Sequence, residues 1–221
     1  MEHLDYLEEI HGTDPDAAII WMHGLGADGY DFKPIARQLN LPDDHSIHFI
    51  FPHAPVQPVS INQGLEVNAW YDILELSLEA KEDHEGISAS MHAIENLIST
   101  KLGHIDPGRI ILAGFSQGGA MALHTFLHGR LHFGGIIALS TYLPLRNLAA
   151  EADQSRVSGK EIFMAHGTHD EVLPHEIGEL AKNILQTLGA NISWHSYTMA
   201  HEVCHQQIQE IREWIVQRLA I

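Results

Sequence analysis

Residues 109–127, with the sequence RIILAGFSQGGAMALHTFL, are the segment most informative about the fold class. It opens with a short apolar run, Arg109–Ala113, and closes with an amphipathic segment, Gln117–Leu127, which we predict to be a strand and a helix. Between them, Gly114-Phe115-Ser116-Gln117-Gly118 matches the pattern G-x-S-x-G. In a strand–turn–helix setting, this turn exposes the serine hydroxyl at the sheet edge, and the glycines avoid collisions with neighbouring elements. Ser116 is therefore the candidate nucleophile; the alternative is a tight turn with an idle serine.

The same alternation of apolar runs and amphipathic segments continues along the chain on both sides of this stretch. Further strands are predicted at Ala17–Met22, Ile47–Phe51, Gly135–Leu139, Glu161–Ala165 and Ile192–Tyr197. Further helices are predicted at Phe32–Leu39, Ile87–Lys101, His175–Leu188 and Gln206–Leu219. Strands that are apolar on both sides and alternate with helices indicate an α/β fold, with a mostly parallel sheet covered by helices on both faces.

The 221 residues are predicted to form a single domain, 1–221, with one irregular region at about 52–86. This region contains Pro52, Pro55 and Pro58, and a long insertion in a compact domain is typically a lid or a binding loop. A hydrophobic content of 45% is enough for a sizeable core without disulfides.

Composition excludes several classes of function. With 12 Lys+Arg against 29 Asp+Glu, the formal net charge is −17, which disfavours nucleic acid and stable association with anionic membranes. The single cysteine, Cys204, fits a reducing compartment, and the acidic N-terminus is unlike a signal peptide, so we expect a cytoplasmic protein. The 18 histidines suggest metal binding or acid–base chemistry.

A serine nucleophile needs a histidine base and an acid that orients it, in the chain order Ser, Asp/Glu, His. In open α/β sheets these partners follow the carboxyl ends of strands. Asp170 meets this test because it follows the strand Glu161–Ala165, whereas Asp153 precedes that strand and Glu171 is offset by one residue.

His201 is the candidate base because it follows the strand Ile192–Tyr197 and precedes the last helix. His195 lies within that strand and His205 about one helical turn after His201, so both are interpreted as structural. For the oxyanion hole we predict two backbone N–H donors, those of Gln117 after the nucleophile and Leu25 in the Gly-rich loop after the first predicted strand.

Several segments together resemble the acyl-protein thioesterase / phospholipase–carboxylesterase family of α/β-hydrolases, especially its bacterial carboxylesterases. They are WMHGLGADG (21–29), FPHAP (51–55), PVSIN (58–62), AWYDI (69–73), GFSQGG (114–119), HGTHD (166–170) and MAHE (199–202). The resemblance implies an α/β-hydrolase fold without a separate cap domain. It also implies a triad of Ser116, Asp170 and His201, with Leu25 and Gln117 as oxyanion donors. Two positions depart from the family pattern: Ala200 and Gln63 stand where glycine is common.

We therefore expect a serine carboxylesterase that needs no cofactor or metal. Its expected substrates are esters of short to medium acyl chains, with thioesters as a second class. Its partner is a small ester or acylated molecule, and family members often form homodimers. Acyl-protein thioesterase and lysophospholipase are the alternatives within the family. From region 52–86 we expect Leu65, Trp70, Leu74 and Leu76 to bind the substrate.

Two further interpretations belong to other classes. His201-Glu202-Val203-Cys204-His205 matches the H-E-x-x-H pattern of zinc metalloproteases, although only sixteen residues follow it to supply a third ligand. The other is a catalytically idle hydrolase fold that acts as a binding module; the intact Ser, Asp and His positions argue against it. His124, His128 and His132 are spaced four apart, but Gly129 interrupts their helix, so we interpret them as structural.

Overall fold

A computed structural model describes residues 3–42, 45–75 and 81–221. The strands in these ranges are β1 Tyr6–His11, β2 Ala17–Met22, β3 Ile47–Pro52, β4 Val56–Val59, β5 Leu65–Asn68, β6 Ile110–Phe115, β7 Gly135–Leu139, β8 Glu161–Gly167 and β9 Asn191–Tyr197. The helices are α1 Gly29–Phe32, α2 Ile35–Gln38, α3 His84–Leu102, α4 Gln117–His128, α5 Gln154–Val157, α6 His175–Thr187 and α7 His205–Leu219.

The central sheet has the strand order β1-β3-β2-β6-β7-β8-β9. All neighbours pair in parallel except β1, which runs antiparallel to β3 at one edge. The six predicted strands are all present in this sheet. The edge strand β1 was not predicted because its sequence YLEEIH is only partly buried and carries no continuous apolar run.

Helices cover both faces of the sheet, as the strand sequences predict. Along β2 every residue is buried, and its side chains alternate between two apolar clusters. Ala18, Ile20 and Met22 pack in the cluster that contains α3 and α4, whereas Ala17, Ile19 and Trp21 pack with α7. A parallel sheet covered on both sides therefore explains the uninterrupted apolar run.

Two predicted helices differ from the structure by more than one residue at an end. Residues Phe32–Leu39, predicted as one helix, contain only the last residue of α1 and the whole of α2, because Pro34, which has no backbone N–H, lies between these two short helices. Helix α3 begins at His84 rather than Ile87, since the Asp83 carboxylate accepts a hydrogen bond from the Gly86 N–H and caps the helix.

Much of the described part of region 52–86 is ordered into a hairpin. Strands β4 and β5 pair antiparallel, and a 3-10 turn at Ser60–Asn62 joins them. Asp72 fastens this turn by accepting hydrogen bonds from the Ser60 N–H at 2.7 Å and the Ser60 hydroxyl at 2.6 Å. No helix within the described ranges is long and apolar enough to cross a membrane.

Candidate active site

Ser116 lies at the sharp turn between β6 and α4 with φ 54° and ψ −120°. A non-glycine residue at positive φ costs on the order of 1–3 kcal/mol, so surrounding contacts must hold it. The Ser116 N–H donates to the Leu139 carbonyl at 2.9 Å, and the Thr141 hydroxyl donates to the Ser116 carbonyl at 2.6 Å. The main chain of Ser116 is thus fixed between β6 and β7.

The flanking glycines are required by close backbone contacts. A Cβ atom on Gly114 would lie 2.2 Å from the Gly118 carbonyl oxygen. A Cβ on Gly118 would lie 2.3 Å from the Met22 carbonyl oxygen in β2. These distances are far below van der Waals contact, so any side chain at either position would displace the turn that presents Ser116.

Ser116, His201 and Asp170 form one hydrogen-bonded chain. Ser116 Oγ lies 3.0 Å from His201 Nε2, and His201 Nδ1 lies 2.7 Å from Asp170 Oδ2. Because the carboxylate accepts at Nδ1, the neutral imidazole carries its proton there and offers the Nε2 lone pair to the serine O–H. Asp170 follows β8 and His201 follows β9, so two neighbouring carboxyl ends of strands place them beside the Ser116 turn.

The Asp170 side chain is fully buried and held from both oxygens. Its Oδ1 accepts hydrogen bonds from the Val172 N–H at 2.9 Å and the Leu173 N–H at 2.8 Å. His166 Nε2 lies 3.4 Å from Asp170 Oδ2 and 2.8 Å from the Leu173 carbonyl, to which it donates. Burial lowers the pKa of His166, so this histidine is neutral at pH 7 and acts as a hydrogen-bond donor behind the carboxylate.

Leu25 and Gln117, the two predicted oxyanion donors, line the same cleft as Ser116 and His201. Gln117 is the first residue of α4, where backbone N–H groups have no intrahelical acceptor. The Leu25 loop is fixed by His23, whose Nδ1 donates to the Gly24 carbonyl at 2.7 Å and whose Nε2 accepts from the Ala54 N–H at 3.0 Å. Burial lowers the pKa of His23, which keeps the ring neutral in this double role.

A family profile described as Phospholipase/Carboxylesterase matches residues 9–219. The chain belongs to the Phospholipase/Carboxylesterase family. It is 33% identical over 209 residues to acyl-protein thioesterase 1 of Yarrowia lipolytica, with 92% of each chain covered. It is 35% identical over 213 residues to acyl-protein thioesterase 1 of Neurospora crassa, covering 92% of this chain and 87% of the relative.

Solved structures show the same relationship. Acyl-protein thioesterase 2 of Zea mays superposes with a TM-score of 0.86 at 29% identity, covering 96% of this chain and 99% of that one. A Bacillus cereus carboxylesterase at 19% identity has a TM-score of 0.77 over 97% of this chain and 94% of that one, which is a likeness of fold alone. The α/β-hydrolase fold and the family resemblance predicted from the sequence are confirmed.

One departure from the family pattern has a visible structural consequence. Gln63 ends the hairpin turn at φ 59°, a left-handed conformation that glycine adopts without steric cost and other residues adopt with strain. A glycine, which the family resemblance leads us to expect at this position, would adopt the backbone conformation of Gln63 without strain. Ala200 is exposed, and its carbonyl accepts the Glu202 N–H at 3.0 Å in the bend next to His201.

Trp70 is placed in the interior rather than in the cleft. It is 1% exposed, and its indole N–H donates to the His23 carbonyl at 2.9 Å. The buried Gln117 side chain accepts the Trp70 N–H at 2.9 Å and donates to the Tyr71 carbonyl at 2.8 Å, so it ties region 52–86 to the base of α4. Trp70 was expected from the sequence to bind the substrate. The hydrogen bonds of the Gln117 side chain to this region were not predicted, because no sequence motif indicates them.

The other predicted substrate residues have different outcomes. Leu65 is 62% exposed on β5 and is not among the described residues that line the Ser116 cleft. Leu74 is 44% exposed and lines a groove that adjoins the cleft along α6. Leu76 lies outside the described residues. The apolar side chains that line the cleft include Ile61, Ile73, Val172 and Leu173. Ile61 and Ile73 belong to the apolar residues of region 52–86 that the sequence predicts to select the substrate, whereas Val172 and Leu173 were not predicted.

The H-E-x-x-H match does not have the geometry of a zinc site. Helix α7 begins only at His205, so His201 and His205 do not share a helix face, and His201 Nε2 contacts Ser116. Within the described ranges, no group of three or more His, Cys, Asp or Glu side chains is arranged to hold a metal ion. His124 and His128 contact each other on α4 with ring centroids 4.8 Å apart, whereas His132 lies beyond the end of that helix.

Proposed function

We propose that the protein is a serine carboxylesterase that hydrolyses carboxylic esters, and thioesters, of short to medium acyl chains. The observation that carries the proposal is the hydrogen-bonded chain Ser116–His201–Asp170 at a strained turn that opens into an apolar cleft. Family membership supports the same reaction class.

The reaction proceeds in two steps. Ser116 Oγ attacks the acyl carbonyl carbon while His201 Nε2 takes the hydroxyl proton, and Asp170 stabilises the imidazolium that forms. The N–H groups of Leu25 and Gln117 stabilise the oxyanion, each contributing about 3 kcal/mol to the transition state. His201 then protonates the leaving alkoxide or thiolate, and a water molecule attacks the acyl-enzyme with His201 again as the base.

The acyl chain is assigned to the apolar side of the cleft. Ile61, Ile73, Val172 and Leu173 face this space, and the adjoining groove along α6 shares the last three of them. Burying each methylene of a chain there contributes about 0.8 kcal/mol. The proposal therefore expects kcat/KM on nitrophenyl esters to rise with chain length up to a limit, and a flat profile would contradict it.

A thioesterase activity on acylated proteins is the second candidate, because the curated relatives with the matches above are named acyl-protein thioesterase 1. A matched pair of substrates, an acyl ester and the thioester of the same acyl group, separates the two candidates. Higher kcat/KM on an S-acylated peptide than on the small ester would favour the thioesterase.

A substrate panel on the wild type and on Ser116→Ala tests the whole proposal. The panel contains esters, thioesters, a lysophospholipid and an S-acylated peptide, and Ser155→Ala, a serine on α5 that bonds only locally to Asp153, serves as the control. We expect Ser116→Ala to lose hydrolysis of every substrate while Ser155→Ala retains it. Activity in folded Ser116→Ala would overturn the proposal, as would loss of wild-type activity in phenanthroline with resistance to an organophosphonate.

The assignment to the cytoplasm and to soluble substrates is part of the proposal. The single cysteine and the net charge of −17 support it. A homodimer is proposed on the family resemblance, and size-exclusion chromatography with light scattering tests it. Cell fractionation that places the protein in the membrane pellet would contradict the assignment.

A further inference from the structure

A second Ser–His–acid chain lies on the face of the sheet covered by α7, outside the Ser116 cleft. Ser193 Oγ is 2.8 Å from His195 Nε2, and His195 Nδ1 is 2.7 Å from Glu210 Oε2. Ser193 and His195 are two residues apart on β9, so both side chains are on one face of the strand, and Glu210 reaches them from α7. The two distances match those of the Ser116–His201–Asp170 chain within 0.2 Å.

The carboxylate of Glu210 fixes which nitrogen of His195 carries the proton. Its Oε2 also accepts the Tyr197 hydroxyl at 2.7 Å, and its Oε1 accepts the Gln206 amide at 2.9 Å. The hydrogen bond from Tyr197 lowers the pKa of Glu210, so the acid is ionised at pH 7. The neutral imidazole of His195 therefore holds its proton at Nδ1 and accepts the Ser193 O–H at Nε2.

Packing holds the His195 ring in this orientation and leaves the ring partly exposed to solvent. The ring stacks on Phe163 with centroids 4.5 Å apart, and it lies parallel to Tyr197 at 6.3 Å. The side chains of His195 and Glu210 are each 28% exposed, and Ser193 is partly exposed. The base is thus held in position beside a serine that is not fully buried.

We propose that Ser193 is a second activated nucleophile, which is acylated by small activated carboxylic esters such as aryl acetates. Ser193 Oγ forms a bond to the acyl carbon, its proton passes to His195 Nε2, and the carbon–oxygen bond to the aryl group breaks to release the phenolate. His195 then returns the proton to the phenolate or to water, leaving acyl-Ser193. General-base assistance of this kind accelerates attack by about 10²–10⁴.

The reaction at Ser193 is stoichiometric rather than catalytic. Ser193 lies within the regular strand β9, unlike Ser116, whose positive φ places it at the start of a helix with its N–H groups. Without such donors the transition state loses about 10²–10³ in rate, so acylation is slow and the acyl-serine persists. The predicted signature is slow single labelling of Ser193 beside rapid turnover at the main site.

The same strand contains a matched comparison serine. Ser196 Oγ lies 2.8 Å from His175 Nε2, but the acid behind that histidine, Glu179, is 3.9 Å from His175 Nδ1. Ser196 is also more exposed than Ser193. If exposure alone governed reactivity, Ser196 would be acylated faster; if the ordered acid–base chain governs it, Ser193 is faster.

The experiment uses full-length Ser116→Ala protein, so that turnover at the main cleft does not consume the reagent. The protein is incubated with p-nitrophenyl acetate, and acetylation of the peptides containing Ser193 and Ser196 is followed by mass spectrometry over time. We expect acetyl-Ser193 to form about tenfold or more faster than acetyl-Ser196, because both serines have a histidine base but a carboxylate lies within hydrogen-bonding distance of His195 and not of His175. Acylation of a serine releases one equivalent of nitrophenolate, so continued release beyond the acetyl groups found on the protein measures residual turnover in Ser116→Ala and bears on the proposed function, not on Ser193.

Three variants in the Ser116→Ala background test whether the acid–base chain causes the difference in rate. His195→Gln removes the base, and we expect labelling of Ser193 to fall to the rate of Ser196 or below it, since Ser196 keeps its own base, His175. The control His175→Gln leaves Ser193 labelling unchanged. Glu210→Gln keeps the size of the side chain and is expected to slow labelling as well, with thermal melting as the check of folding. Absence of acetyl-Ser193, equal rates at the two serines, or labelling that is insensitive to His195→Gln would overturn the proposal.

Discussion

Replacing Asp170 by asparagine isolates the orientation of His201 with little change of shape. In the wild type, Asp170 Oδ1 accepts two backbone N–H groups and Oδ2 accepts His201 Nδ1–H at 2.7 Å. An amide that keeps its oxygen toward the backbone donors turns its N–H₂ toward His201 Nδ1. The neutral imidazole must then carry its proton on Nε2, where it no longer accepts the proton of Ser116.

The reversed amide would accept the His201 Nδ1–H and keep the productive tautomer, but this orientation is itself disfavoured. It directs the N–H₂ of the asparagine at the Val172 and Leu173 N–H groups, so that donors face donors in a fully buried place. The asparagine therefore favours the orientation with the unproductive tautomer, and the loss for such a change in a serine triad is about 10⁴ in rate. We therefore expect kcat to fall about 10⁴-fold, which corresponds to about 5.5 kcal/mol in activation free energy.

The assay is hydrolysis of p-nitrophenyl acetate over a range of concentrations, with urea unfolding to show that the variant is folded. KM is expected to change little, because the buried Asp170 does not line the cleft. Asp153→Asn is the matched control: this aspartate caps α5 on the surface, and activity should stay within about twofold. A loss of less than about tenfold in folded Asp170→Asn would refute the account of how His201 is oriented.

Three further predictions concern stability, each measured by urea unfolding. Gln63→Gly relieves the strain at φ 59° and should raise the free energy of unfolding by about 0.5–1 kcal/mol; a decrease would contradict the assigned strain. In the wild type the Gln117 amide nitrogen lies 2.8 Å from the Tyr71 carbonyl oxygen, and Gln117→Glu replaces this donor by a carboxylate. The free energy of unfolding should fall by about 3 kcal/mol, and a change below about 0.5 kcal/mol would show that this hydrogen bond is unimportant. Burial lowers the pKa of His124 from 6.5 to about 4, so the unfolded chain binds the extra proton first as the pH falls below 6.5. The stabilisation from neutral, buried His124 is therefore present above pH 6.5, and the free energy of unfolding should fall by about 2 kcal/mol by pH 5. His124→Leu should therefore reduce the stability difference between pH 7.5 and pH 5 by that amount, and an unchanged difference would refute the assignment.

Much of the sheet was predictable because strands that are buried on both faces have continuous apolar sequences. The runs AAIIWM in β2 and GIIAL in β7 are buried along their whole length. The edge strand β1 was not predicted because its residues are partly exposed and its pairing partner, β3, is distant in the sequence. The hairpin β4–β5 was not predicted because most of its residues are exposed or partly exposed. Elements stabilised by tertiary contacts rather than by their own pattern are the ones that sequence reasoning misses.

The candidate nucleophile, base and acid were predictable for a different reason. Their positions at the carboxyl ends of strands follow from the topology, and the order Ser116, Asp170, His201 follows from the strand order. The cleft lining was not predictable in this way, because an apolar residue in region 52–86 can face either the cleft or the core. Trp70 illustrates the limit: only the folded chain shows that Gln117 and His23 hold it in the interior.

In the proposed mechanism Ser116 carries an acyl group during turnover, and this intermediate can be trapped. Wild-type protein is mixed rapidly with excess p-nitrophenyl ester, quenched with acid within the first turnovers, digested and mapped by mass spectrometry. We predict an acyl adduct on Ser116 that forms with a nitrophenolate burst of about one equivalent per active site and disappears when the ester is exhausted. Steady turnover by the folded protein with no acyl group on Ser116, or with the transient acyl group on another residue, would contradict it.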